Sequence, residues 1–256
     1  MFAIVFLSSA FSWEIKHNAH GNPLHWINLE IPFYHNAADS NINPSILSQT
    51  ISNSAAAWNF SYTELVHKGE TNISRIDYED EYFTVLFNND WSESPDILAL
   101  TYTWSNTQGE IVHFDIEINA DHYSWSTQGE SDKHDLQNTL THEFGHVLGL
   151  DHSAITEATM APTATVGELK KRELHEDDKK GHQEIYAHPL EENNNSSSSS
   201  LPSNPGTSNH DSPTYTGEGG SYGSRRPISA CSSTQSASSI LWLSLLGVFF
   251  PRTRRS

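Results

Sequence analysis

The chain carries a single cysteine, Cys231, in 256 residues. One thiol excludes an intrachain disulfide and any cysteine-based metal site in the body of the protein. It also leaves no upstream thiolate that could hold a metal site latent. Basic side chains are scarce as well, 14 Lys and Arg against 32 Asp and Glu. Residues 1–190 hold 9 basic and 28 acidic side chains, and the remainder holds 5 and 4. A folded region so negative repels phosphate backbones and anionic bilayers, which excludes nucleic acid as a partner. It suits a secreted protein and is compatible with Ca²⁺ binding, although no EF-hand-type loop occurs.

Long apolar runs are missing too. The C-terminal run 240–250 has 11 residues, where a membrane-spanning helix requires about 20. It follows Cys231 and precedes three arginines in "CSSTQSASSILWLSLLGVFFPRTRRS". A cysteine, a short greasy run and a basic cluster suit a sorting signal that is recognised and removed; a weak anchor or unstructured tail is the alternative. At the other end, "MFAIVFLSSAFS" reads as a short signal peptide without the usual positive start, with Ala10 or Ser12 at the cleavage point. A first buried strand is the rival reading. Between residues 191 and 228 the composition collapses to Asn, Ser, Pro and Gly, which reads as a linker.

What remains is patterned. "WINLEIPFY" (26–34) has strand composition with alternation at Ile27, Leu29 and Ile31. "NPSILSQTISNSAAAWNF" predicts an amphipathic helix with Leu47, Ile51, Ala55 and Trp58 on its core face. "YFTVLF", "ILALTYTW" and "EIVHFDIEIN" predict three strands, the last two separated by the turn "SNTQG". "ELHEDDKKGHQEIYAH" predicts a charged helix that docks through Leu174 and Ile185, its Lys/Asp run reading as a solvated face.

The chemistry is concentrated in "THEFGHVLGLDH" (141–152). In a chain with 15 His, 19 Glu and 14 Gly, H-E-x-x-H arises by chance roughly 0.06 times, and H-E-x-x-H-x-x-G-x-x-H roughly 0.0002 times. On a helix, His142 and His146 sit one turn apart on one face. Leu136, Leu140, Phe144, Val147 and Leu148 form an apolar stripe on the other. Asp135 is positioned to cap the start and Gly149 to stop the end, so that the chain can turn and return His152 as a third ligand. Three neutral imidazoles leave one tetrahedral position of Zn²⁺ for water, as a catalytic rather than a closed site requires, and Glu143 stands beside it as general base. The alternative is a helix of solvated histidines.

The stretch "HDLQNTLTHEFGHVLGLDHS" resembles the metzincin metalloproteases, and among them the matrixins, in their minimal bacterial form. "ATMAP", with Met160 eight residues after His152, resembles the family's Met-turn, and "DDKKGHQEIY" its C-terminal helix with an Asp pair. The resemblance covers roughly residues 20–188. It implies an α+β fold, the metzincin arrangement of a twisted mixed β-sheet with an N-terminal helix, an active-site helix and a C-terminal helix. It also implies a zinc endopeptidase whose metal ligands are His142, His146 and His152, whose catalytic residue is Glu143, and whose Met160 packs beneath the imidazoles. Animal matrixins hold a second, structural zinc. Here only His113 matches one of its ligands, Thr101 and Thr103 stand where another would be sought, and one catalytic zinc is expected. No propeptide is seen.

The expected organisation is a signal peptide at 1–12, a catalytic domain at 13–190, the linker at 191–228 and a sorting or anchor signal at 229–256. That tail resembles the Cys-containing C-terminal sorting signals of myxobacterial and related surface proteins. The expected partner is a protein or peptide substrate bound in extended form along the strand near 98–104. Membrane contact is expected only through the tail, on a monomeric protein at a bacterial cell surface. A non-catalytic surface binding protein of metzincin fold, or an astacin-like protease, are the competing functions. A tyrosine shortly after the Met-turn would favour the latter, and the nearest, Tyr186, is distant.

Overall fold

The computed structural model describes residues 11–187 and 229–233. Most of the signal-peptide segment, the linker and the apolar and arginine-rich parts of the tail therefore lie outside the described residues.

The elements run β1 (Glu30–His35), α1 (Pro44–Ala56), β2 (Glu64–Glu70), β3 (Thr84–Asn88), β4 (Ile97–Ser105) and β5 (Ile111–Asn119). Then follow the short β6 (Trp125–Ser126) and β7 (His134–Asp135), α2 (Leu136–Val147), β8 (Thr163–Ala164), a 3-10 turn (Lys170–Arg172), α3 (Glu176–Tyr186) and β9 (Ser229–Ser233). One seven-stranded sheet has the order β2-β1-β3-β5-β4-β9-β8. Its first four strands are parallel, β4 is antiparallel to β5 and β9, and β8 is parallel to β9. The architecture is α+β, a mixed sheet with three helices, in agreement with the sequence expectation.

The core lies between the sheet and the helices. Leu47, Ile51 and Ala55 of α1 are buried at the predicted spacing, and Trp58, just past the helix, is fully buried. Pro44 opens α1 where its missing N–H costs nothing, and Asn43 caps it through Ser45 N. Phe33, Phe114 and Phe144 meet inside as a tilted aromatic cluster with centroids 5.0–6.4 Å apart.

Two predicted features need correction. Ile27 and Leu29 precede β1 and are exposed, while Ile31 and Phe33 supply its core face. The alternation was real, but the strand begins later, so it selects Ile31, Phe33 and His35. Second, Asp177 and Asp178 in the charged run of α3 are fully buried. They are not a solvated face, because both accept hydrogen bonds from segments far away in sequence. Leu174 and Ile185 do pack against the core as expected.

Helix α2 is tied down at its C-terminal end, where backbone carbonyls run out of intrahelical partners. The Trp26 indole N–H donates to Val147 O at 2.8 Å and the Tyr186 hydroxyl to Leu148 O at 2.9 Å. Further up, the Trp58 indole N–H donates to Thr141 O at 2.8 Å. Three bulky side chains from three distant parts of the chain thus fix the axis that carries the histidines. Asp135 caps the start, accepting from Asn138 N at 2.9 Å, and is itself held by Arg172.

Candidate metal centre

All three predicted ligands come together. One ligand nitrogen from each of His142, His146 and His152 lies within 4.8 Å of the others, the only such grouping of three metal-ligating side chains among the described residues. His142 and His146 arrive there by helical periodicity. His152 arrives because the chain reverses at Gly149, whose φ is +90°. A side chain is strained at that angle, and a Cβ there would stand 2.4 Å from Leu24 O, so glycine is required on both counts.

The orientation of the rings follows from their far nitrogens. His142 Nδ1 is 2.7 Å from Thr159 O, and His146 Nδ1 is 2.8 Å from Leu150 O. A carbonyl can only accept, so each Nδ1 carries the proton and each Nε2 presents a lone pair. His142 Nε2 is buried without a hydrogen-bond partner, and His146 Nε2 faces His152 Nε2 at 3.3 Å. The Nε2 lone pairs of the buried His142 and His146, with His152 converging on them, are the donor set that Zn²⁺ takes, and three protein ligands is the number found in catalytic sites. Burial lowers the pKa of His142 and His146 well below the usual value, assisted by the Lys171 and Lys16 ammonium groups respectively. His152 is pushed down to about 4, again chiefly by burial. All three are neutral at pH 7, the form that ligates a metal.

Glu143 is fully buried beside this cluster. Thr101 of β4 donates its hydroxyl to Glu143 Oε2 at 2.6 Å, which aims the carboxylate. In the sequence Thr101 marks only the place of a missing histidine, and nothing local reveals a bond that spans 42 positions. Lys16, which no sequence motif marks, also lies here. Its backbone pairs with Gly149 and Leu24, and its buried ammonium is lowered to about 8 by desolvation, partly offset by Asp151 and Glu143.

Met160 lies against α2, between the turns that carry His142 and His146. It closes a loop by accepting from Ser153 N at 2.9 Å. Its Sδ lies on Gly145, between the two helical ligands, where a Cβ would meet it at 2.3 Å and the Trp58 ring at 2.8 Å. The loop is held by the buried aspartates of α3. Asp178 accepts from Thr159 N at 2.8 Å, Met160 N at 2.9 Å and His175 N at 2.9 Å, and Asp177 accepts from the Ser153 hydroxyl at 2.6 Å. The 3-10 turn adds Lys171, buried, whose ammonium donates to Ala161 O.

Past Met160 a cavity of about 350 Å³ is lined by Ser153, Ala161, Pro162, Thr163 and Thr165. A larger one, about 530 Å³, is lined by Asp39, Asn88, Tyr102 and Glu117. Tyr102 points to the opposite face of β4 from Thr101, so the larger cavity is remote from the triad. His113 is buried on β5 between the rings of Phe83 and Trp104, with Nε2 3.5 Å from Asp115.

Comparison with known proteins agrees with this geometry. The family model described as Matrixin matches residues 26–187. Metalloendoproteinase 2-MMP of Arabidopsis thaliana is 35% identical over 95 residues, covering 34% of this chain and 23% of that protein. Stromelysin-3 of Mus musculus is 31% identical over 145 residues, covering 55% and 27%. Matrix metalloproteinase-9 of Canis lupus familiaris is 53% identical over 45 residues, covering 18% and 6%. The chain thus spans about a quarter or less of the length of these relatives. No helix among the described residues is long and apolar enough to cross a membrane.

Proposed function

The chain belongs to the matrixin family, and on that premise we propose that it is an exported zinc-dependent endopeptidase. The observation that carries this reading is the convergence of His142, His146 and His152, the far nitrogens of the first two anchored, next to a buried Glu143. A zinc ion held by these three side chains supplies Lewis acidity, acidifying water and polarising a carbonyl oxygen.

The rest is done by the chain. Glu143, aimed by Thr101, accepts the proton of the attacking water and passes it to the departing amine, acting first as base and then as acid. The carbonyls of Thr159 and Leu150 fix the two helical imidazoles, and Met160 packs under them, so the donor set does not reorganise during the reaction. The substrate lies extended along the outer edge of β4 and against β8, by strand addition. The side chain following the cut enters the cavity past Met160. The acidic body and the N-terminal segment support export, and the tail sequence supports residence at a bacterial surface, with the protein a monomer.

Incubating the full chain with casein or a peptide library, and labelling the new amino termini, tests the reading. Internal cleavage products should accumulate in proportion to enzyme and time. Zinc-loaded protein that generates no new termini from any peptide would leave the competing binding-protein function in its place.

A further inference from the structure

The outer edge of β4 is not free. Residues 229–233 form β9, antiparallel to β4, with Ser229 opposite Thr101, Ala230 opposite Leu100, Cys231 opposite Ala99 and Ser232 opposite Ile97. The other edge of β9 pairs in parallel with β8, Thr163 opposite Ser232 and Ala164 opposite Ser233. The same strand also runs against α2. It therefore lies between the strand whose Thr101 aims Glu143 and the segment that lines the cavity past Met160. We infer that this tail segment occupies the substrate cleft as a tethered strand, and that the protein restrains its own activity by competition.

The inference rests on the endopeptidase reading and on one physical fact. A strand edge offers a single row of N–H and C=O groups, so two extended peptides cannot pair with it at once. An incoming substrate must displace β9 from both β4 and β8. The tail need not be a strong ligand to succeed, because covalent attachment gives it an effective concentration that a dilute free peptide does not reach. The segment "SACSS" has no large side chains to anchor it. It is held by its backbone, which makes it displaceable by a peptide that also fills the cavity. This gives the protein a means of restraint that ends when the tail is captured or removed.

The test uses the full chain with Ala230→Pro and Ser232→Pro together. Proline removes the backbone donor and cannot sit in a paired strand. In a Glu143→Gln background, which prevents any self-cutting, hydrogen exchange at residues 97–101 and 163–164 should rise roughly tenfold or more in the proline variant. In the active background, KM for a fluorogenic peptide should fall several-fold with kcat unchanged. Equal exchange in both chains, or an unchanged KM, overturns the inference. If no peptide is cut by either chain, the endopeptidase reading fails, while the exchange comparison still decides whether β9 occupies the edge.

Discussion

Glu143→Gln should lower kcat for peptide hydrolysis by roughly three orders of magnitude while the protein still binds one zinc ion. The glutamine has the same shape, and its amide oxygen can still accept the Thr101 hydroxyl that now reaches Glu143 Oε2 at 2.6 Å. It is not one of the three ligands, so metal content should be unaltered. What disappears is the capacity to take up a proton at this fully buried position. Activity and zinc content measured on the same preparations check both halves. Full activity in the variant would remove Glu143 from the mechanism.

Asp178→Ala should be the most damaging substitution outside the ligands. Its carboxylate accepts three backbone N–H groups, from Thr159, Met160 and His175. Alanine would leave all three without an acceptor, two of them in buried surroundings, at about 1–3 kcal/mol each. Against this stands the relief of a buried charge, since desolvation already raises the Asp178 pKa. The orphaned donors outweigh it, because they stay buried whatever the side chain. We expect a loss of about 4 kcal/mol, which for a domain of this size lowers Tm by roughly 10 °C. Thr159 also orients His142 through its carbonyl, so zinc affinity should fall about 10- to 100-fold. Asp178→Asn keeps an acceptor oxygen and should lose less on both counts. Thermal melts and competition with a chromophoric chelator measure the two effects. A Tm within about 2 °C of the parent would show that the Met-turn does not depend on this clamp.

These two residues mark what could be read from the sequence and what could not. The zinc helix was legible because its information is local. A spacing of four, a glycine three positions on and a histidine three beyond that describe one helical turn and one reversal, and Asp135 and Gly149 sit at the ends where capping chemistry requires them. Trp58 was legible for the same reason, as the next member, just past the helix, of the apolar stripe of α1. A run of charges ordinarily faces water, and nothing local shows that Asp177 and Asp178 are buried: most of their partners lie in the loop 18 to 24 positions upstream, which has no periodicity of its own, and one, Ser12, lies far upstream.

Strand β2, "ELVHKGE", escaped recognition because only Leu65 is buried and its charged, glycine-containing pattern lacks alternation. Strand β9 is a short run of small residues within a low-complexity tail, and only its pairing gives it meaning. Thr101 belongs to the same class. Its residue type is ordinary for a strand, and its function depends on which helix packs across it.

The account's central claim is that one zinc ion, held by His142, His146 and His152, is required for hydrolysis. It is tested most directly by withdrawing the metal in steps from the full chain with 1,10-phenanthroline and following zinc content and peptide cleavage together. The predicted result is a loss of activity in proportion to the zinc removed, from one ion per chain to none, and its return when zinc is restored. Undiminished cleavage by the zinc-free chain would contradict it.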